Sequence, residues 1–183
     1  MLSNNHNGAA ENKVLAANVL NLMTVYTRDS DLSPEQLAAY KPGLLLKEEY
    51  FVDVTYRSRG LLGNTRYAIF SNSAEDIQHF EKGITWGLFT IKENSYFKVL
   101  DVIRHKDKNL ILLMHLPEKE KIWEKFINDC PVKPEAFLIN ACIEKFEQDC
   151  DLAPLQDLDN EEWKERCSFA IGLDDDGNTI FKA

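Results

Sequence analysis

The sequence predicts an α+β fold: a single domain with a largely antiparallel sheet of about five to seven strands, packed with N-terminal and C-terminal helices. Three observations predict it. Apolar residues recur at helical spacing near both ends of the chain, while alternating or short continuous apolar runs fill the middle. Tight turns join the mid-chain runs, and joins that short imply antiparallel neighbours. The 183 residues, 44% hydrophobic and 28% charged, can bury a core without the help of a metal or a disulfide.

Residues 1–10 are small and polar and read as a flexible tail, which leaves 11–183 as the domain. From Glu11 to about Thr27, the residues Val14, Leu15, Val19, Leu22, Met23 and Tyr26 form one helical stripe. Ser33-Pro34-Glu35-Gln36 starts a short second helix, with Ser33 as cap, Pro34 in the first turn and Gln36 closing a capping box. Tyr50–Arg57 alternates as a strand does, Ser58–Asn64 is a loop, and Arg66–Phe70 is a second strand. Ser73 is placed to cap a short helix through Phe80. Ile84–Ile91, Tyr96–Ile103 and Leu110–Leu116 follow as strands, turned at Lys92-Glu93-Asn94 and at His105–Lys108. Leu110–Leu116 is apolar on both parities, which predicts a central strand covered on both faces. Pro117 opens a helix carrying Trp123 and Phe126, and Pro134 opens a longer one with Ile139, Ile143, Phe146 and Cys150. Asp159 caps a third, with Glu162 completing its box, and a hairpin of Phe169–Leu173 with Thr179–Lys182 ends the sequence.

The formal net charge is −9 and the pI is near 5.0. A net acidic chain argues against generic nucleic-acid or anionic-membrane binding, which needs a basic face. The charge is nonetheless uneven. Tyr50–Leu110 holds nine Lys/Arg against seven Asp/Glu, whereas the chain from Asp129 onward holds five against fourteen. No basic stretch followed by an apolar one opens the sequence, and the most apolar window, Leu110–Leu116, is too short to cross a bilayer. Cys130, Cys142, Cys150 and Cys167 show no paired spacing and read as reduced thiols. The expected setting is soluble and cytoplasmic, with no membrane partner.

Two basic turns are the first candidate site. Arg57, Arg59 and Arg66 bracket one loop and Arg104, Lys106 and Lys108 bracket another. Should the chain cross over between Phe70 and Ile84, both turns share one end of the sheet and form an anion site for a phosphate, a carboxylate or an acidic segment. The same cations could instead pair internally with the acidic C-terminal third. A second candidate is catalytic: Asp101 and His115 stand in adjacent strands, and register decides whether they share a face as a carboxylate–imidazole pair. Glu161 and Glu162, within an acidic run from Asp149 to Glu165, form a third candidate, a docking face for a basic protein. Asp174–Gly177 lacks the end ligands of a calcium loop, Gly60–Gly63 lacks the Lys-Ser/Thr of a P-loop, and the histidines show no ligand spacing, so no metal or cofactor is expected.

With no catalytic signature, the leading expectation is a non-catalytic interaction or ligand-binding domain for an anionic ligand or a charged partner. One alternative is a small hydrolase or transferase with its pocket near Asp101 and His115. Another is an acidic inhibitor resembling an immunity protein. Oligomeric state is left open.

Overall fold

The computed structural model describes residues 23–81, 83–116 and 136–180. Its elements are β1 (Thr24–Ser30), α1 (Pro34–Ala39), β2 (Leu45–Glu48), β3 (Val52–Thr55), β4 (Thr65–Ser71), β5 (Glu75–Asp76), a 3-10 turn (Gln78–Phe80), β6 (Leu88–Ile91), β7 (Ser95–His105), β8 (Lys108–Leu116), α2 (Ala136–Asp149) and α3 (Glu161–Arg166). The strands form one 8-stranded sheet in the order β2-β7-β8-β4-β1-β3-β6-β5. Every neighbouring pair is antiparallel except β4 with β8, which is parallel.

This corrects the expected fold class. The sheet is larger and mixed, and among the described residues the helices are few and short. Two short links show how it is shaped. Residues 92–94 join β6 to β7, and 49–51 join β2 to β3, although four strands stand between each pair in hydrogen-bonding order. Four Cα steps reach about 14 Å, whereas five inter-strand spacings of a flat sheet need about 24 Å. The sheet must therefore bend back on itself. The bend falls where β1 meets β3 through the single pair Thr27↔Thr55. Inside the curve lies the main core, with Tyr26, Leu46, Val52, Val54, Tyr67, Ile69, Ile91, Phe97, Val99, Ile111 and Leu113 joined by Ala170, Ile171 and Leu173 from the C-terminal segment. Phe146 of α2 covers the opposite face, against Ala68, Phe70, Leu110 and Leu112.

Several elements follow their sequence signals. Ser33 caps α1 with both bonds of the capping box, Ser33 Oγ accepting from Gln36 N and Gln36 Oε1 from Ser33 N. The strand β8 is central and almost wholly buried. Others depart from them. Thr24–Thr27 is strand rather than the end of a helix, because a β-branched and aromatic run suits a pleated surface better; residues 11–22 of that expected helix lie outside the described residues. Ser73 caps no helix, and its hydroxyl lies 3.3 Å from His115 Nδ1. The tight turn at Lys92–Asn94 does not pair its flanking strands, since each finds a partner elsewhere. Asn160, not Asp159, caps α3, its side chain accepting from Trp163 N. The terminal hairpin reduces to one bridge, Leu173↔Thr179. The helix expected after Pro117 lies outside the described residues.

Candidate functional site

The parallel pairing of β4 with β8 brings the two basic turns to one end of the sheet. Asn109 N donates to Asn64 O at 2.9 Å, and Lys108 Nζ to Gly63 O at 3.1 Å. Most of the cations there are already paired. Arg66 makes a two-pronged bond to Asp29 at 2.7 and 2.8 Å and a third to Asp149 at 2.6 Å. Burial works against its charge, but the two carboxylates outweigh it and hold the guanidinium above its ordinary value. Arg57 pairs with Asp157 and Lys106 with Asp151. Arg104 Nε donates to Lys106 O at 3.3 Å. Arg59 is exposed and has no ion-pair partner among the described residues. The acidic third of the chain thus neutralises much of the basic end. Glu161 and Glu162 stand on the exposed side of α3, near Lys164 and Arg166.

Asp101 and His115 do not meet. The two-residue turn Lys106-Asp107 sets Asp101 opposite Leu112, and a bulge between Val99 and Asp101 then sets Phe97, not Lys98, opposite His115. The carboxylate and the imidazole point to opposite faces of the sheet. His115 is a fully hydrogen-bonded core residue: Nδ1 lies 2.8 Å from Ser71 Oγ, Nε2 lies 3.2 Å from Ser95 Oγ, and the ring stacks on Phe97. Burial lowers its pKa to about 4, so the ring is neutral at neutral pH. Asp101 Oδ1 accepts from Val102 N, in its own strand.

The unexpected site lies on β1. Its alternation points Tyr26, Arg28 and Ser30 inward, beneath the segment that follows α3. Ser30 Oγ donates to Cys167 O at 2.6 Å and Arg28 Nη2 to Phe169 O at 3.0 Å, with the guanidinium 3.8 Å from the centre of the Phe169 ring. Tyr40 Oη donates to Ile171 O at 2.7 Å and lies 2.8 Å from Tyr67 Oη. Gly172 N donates to Glu48 Oε2 at 2.8 Å. These side chains form a polar row down an otherwise apolar slot. Arg28 and Glu48 are each only 1% exposed. Nε and Nη1 of Arg28 are buried without a hydrogen-bond partner among the described residues. Burial drives the pKa of Tyr67 to about 12, and raises that of Tyr40 well above its ordinary value with help from Tyr67. A cavity of about 10 Å³, room for one water molecule, adjoins Arg28 and is bordered by Thr55, Arg57, Arg59, Arg66, Leu158 and Trp163. A cleft of about 240 Å³ opens beyond it, past Asp29, Ser30, Trp163 and Cys167.

Sequence reasoning passed over Arg28 and Glu48. Arg28 falls just beyond a stretch that reads as helix, so the inward alternation of Tyr26, Arg28 and Ser30 goes unseen. Glu48 sits in an edge strand of four residues, too short to stand out. Among the described residues no group of three or more His, Cys, Asp or Glu is arranged to hold a metal, and no helix is long and apolar enough to cross a membrane.

No protein-family model matches the chain, and no curated protein matches it significantly. Solved structures do resemble it in part. The ADP-ribosyltransferase HopU1 of Pseudomonas syringae pv. Tomato DC3000 aligns at 15% identity and a TM-score of 0.47 over 51% of this chain and 46% of that one. The type III effector XopAI from Xanthomonas axonopodis pv. citri aligns at 11% identity and a TM-score of 0.46 over 52% of this chain and 42% of that one. Exoenzyme S from Pseudomonas aeruginosa, solved with human 14-3-3 protein beta and bound to Carba-NAD, aligns at 8% identity and a TM-score of 0.42 over 69% and 70%. The chain spans less than half the length of the first two. None of these structures is described as a non-catalytic binding domain, so the leading expectation finds no support among them. At these identities and TM-scores no catalytic residue, substrate or partner passes from those proteins to this chain.

Proposed function

We propose that this chain is an enzyme of the transferase kind whose donor carries a diphosphate, with the anion seated on Arg28. One observation carries the reading: a guanidinium 1% exposed, with two nitrogens unpartnered, beside a cavity bordered by Arg59, by Arg57 and Arg66 in their ion pairs, and by the Asp29 carboxylate that Arg66 holds. Burying an incompletely paired cation is unfavourable by several kcal/mol, and an apolar side chain would fill the same space without that penalty. Phosphate oxygens supply the missing acceptors, and the planar, permanently charged fork of Arg suits them. Glu48, at the far end of the polar row, is the negative group of the slot. It is placed to favour positive charge on the donor as the leaving group departs with its bonding pair. The acceptor's lone pair then closes the new bond and its proton passes to water.

The dinucleotide analogue bound to exoenzyme S makes NAD the first probe. Calorimetric titration with NAD should give binding that Arg28→Gln weakens at least about tenfold, equal to about 1.4 kcal/mol, with Arg28→Lys intermediate. Turnover is followed as release of nicotinamide. Equal affinity in wild type and Arg28→Gln, or no binding of NAD or inorganic pyrophosphate to either, would remove the reading.

A further inference from the structure

We infer that the C-terminal strap Cys167–Leu173 occupies the donor's place, so that the described conformation is the closed, self-inhibited state and donor binding requires the strap to leave. This rests on the donor reading of Arg28 and concerns the regulation of that same site.

The strap is held in an unusual way. Its alternate carbonyls, those of Cys167, Phe169 and Ile171, accept from Ser30, Arg28 and Tyr40 in turn, and Gly172 N–H caps the row on Glu48. The buried carbonyls of such a segment need donors, but neutral ones such as Ser30 and Tyr40 suffice, whereas buried charges are costly to maintain. Here a cation and a carboxylate are sealed under it, and the strap satisfies them incompletely: one of the three guanidinium nitrogens finds a carbonyl. A peptide carbonyl and an aromatic ring therefore stand where a phosphate and a planar base would make fuller contact. Removing the strap would also free Glu48 Oε2, the oxygen it occupies.

Two features make the strap testable without an activity assay. Gly172 has φ +74°, and a Cβ there would stand 2.7 Å from Leu46 Cβ, so Gly172→Ala disfavours the seated strap through both strain and collision. Cys167, 1% exposed, lies at the strap's root and reports its departure. Affinity falls by the fraction of molecules whose slot is open.

The experiment measures two things on the full chain: NAD and pyrophosphate affinity, and the alkylation rate of Cys167 followed by peptide mass spectrometry. Gly172→Ala should bind at least about tenfold more tightly than wild type and label faster at Cys167. In the wild type, saturating NAD should accelerate Cys167 labelling, a measurement that does not depend on the variant folding. Arg28-dependent NAD binding that leaves Cys167 labelling unchanged or slower would overturn the strap's role while the donor reading stands. Faster Cys167 labelling in Gly172→Ala, with no binding of NAD or pyrophosphate by either protein, would remove the donor reading and the inference with it.

Discussion

Acidification should weaken the fold through His115. The ring is 6% exposed, sits between Ser71 and Ser95 and stacks on Phe97. Its neighbours can serve a neutral ring, and burial lowers its pKa from 6.5 to about 4. In the unfolded chain the same imidazole takes a proton near pH 6.5. Between the two values the unfolded state binds more protons, so stability is full above about pH 6.5 and is lost as the pH falls toward 4. Linkage over that interval gives a loss of about 2 kcal/mol at about pH 5 and about 3 kcal/mol in full, a large share of a typical domain's stability. Urea unfolding at about pH 7 and about pH 5 measures the loss, and His115→Gln serves as the control that should abolish most of it. The ring's own titration, followed by NMR, should have its midpoint well below 6.5. A midpoint near 6.5, or an equal loss in His115→Gln, would refute the argument.

Other outcomes follow from the packing. Arg66→Leu takes the guanidinium from Asp29 and Asp149, whose side chains are 7% and 0% exposed, leaving Asp29 the Leu62 N–H and Asp149 its ion pair with Lys145, and should cost about 3–5 kcal/mol in chemical unfolding. Neutralising the acids as well, with Asp29→Asn and Asp149→Asn, should return part of it; a loss under about 1 kcal/mol for Arg66→Leu would mean that water reaches the cluster. Gly60 has φ +66° and a Cβ there would stand 2.4 Å from Pro154 N, so Gly60→Ala should lower stability by about 1–3 kcal/mol, read as a fall in Tm. Cys167, whose thiol burial pushes to about 12, should alkylate far more slowly than half-buried Cys142 and Cys150 in the unliganded protein; comparable rates would contradict a seated strap.

Some local features are written in the residues themselves. The Ser33 box is written in four consecutive positions, the two-residue turn at Lys106-Asp107 joins strands that can hardly pair otherwise, and the doubly apolar Leu110–Leu116 has no place but the middle of a sheet. Each of these rests on contacts between near neighbours in the chain, or on burial of a whole segment. The long-range choices were not legible. That β6 and β7 part company across a three-residue turn depends on which edges β3 and β2 offer, and those lie far away in sequence. That Phe97 rather than Lys98 stands opposite His115 depends on one extra residue, Leu100, in a strand whose alternation looks regular either way. The basic turns do meet, yet the carboxylates of the C-terminal third come to meet them too, so charge segregated along the chain is interleaved in space. Arg28 shows the difference most plainly. Alone it is a charged residue near the end of an apolar stretch, and only the strap laid across it from more than a hundred residues away makes it a buried cation with nitrogens to spare.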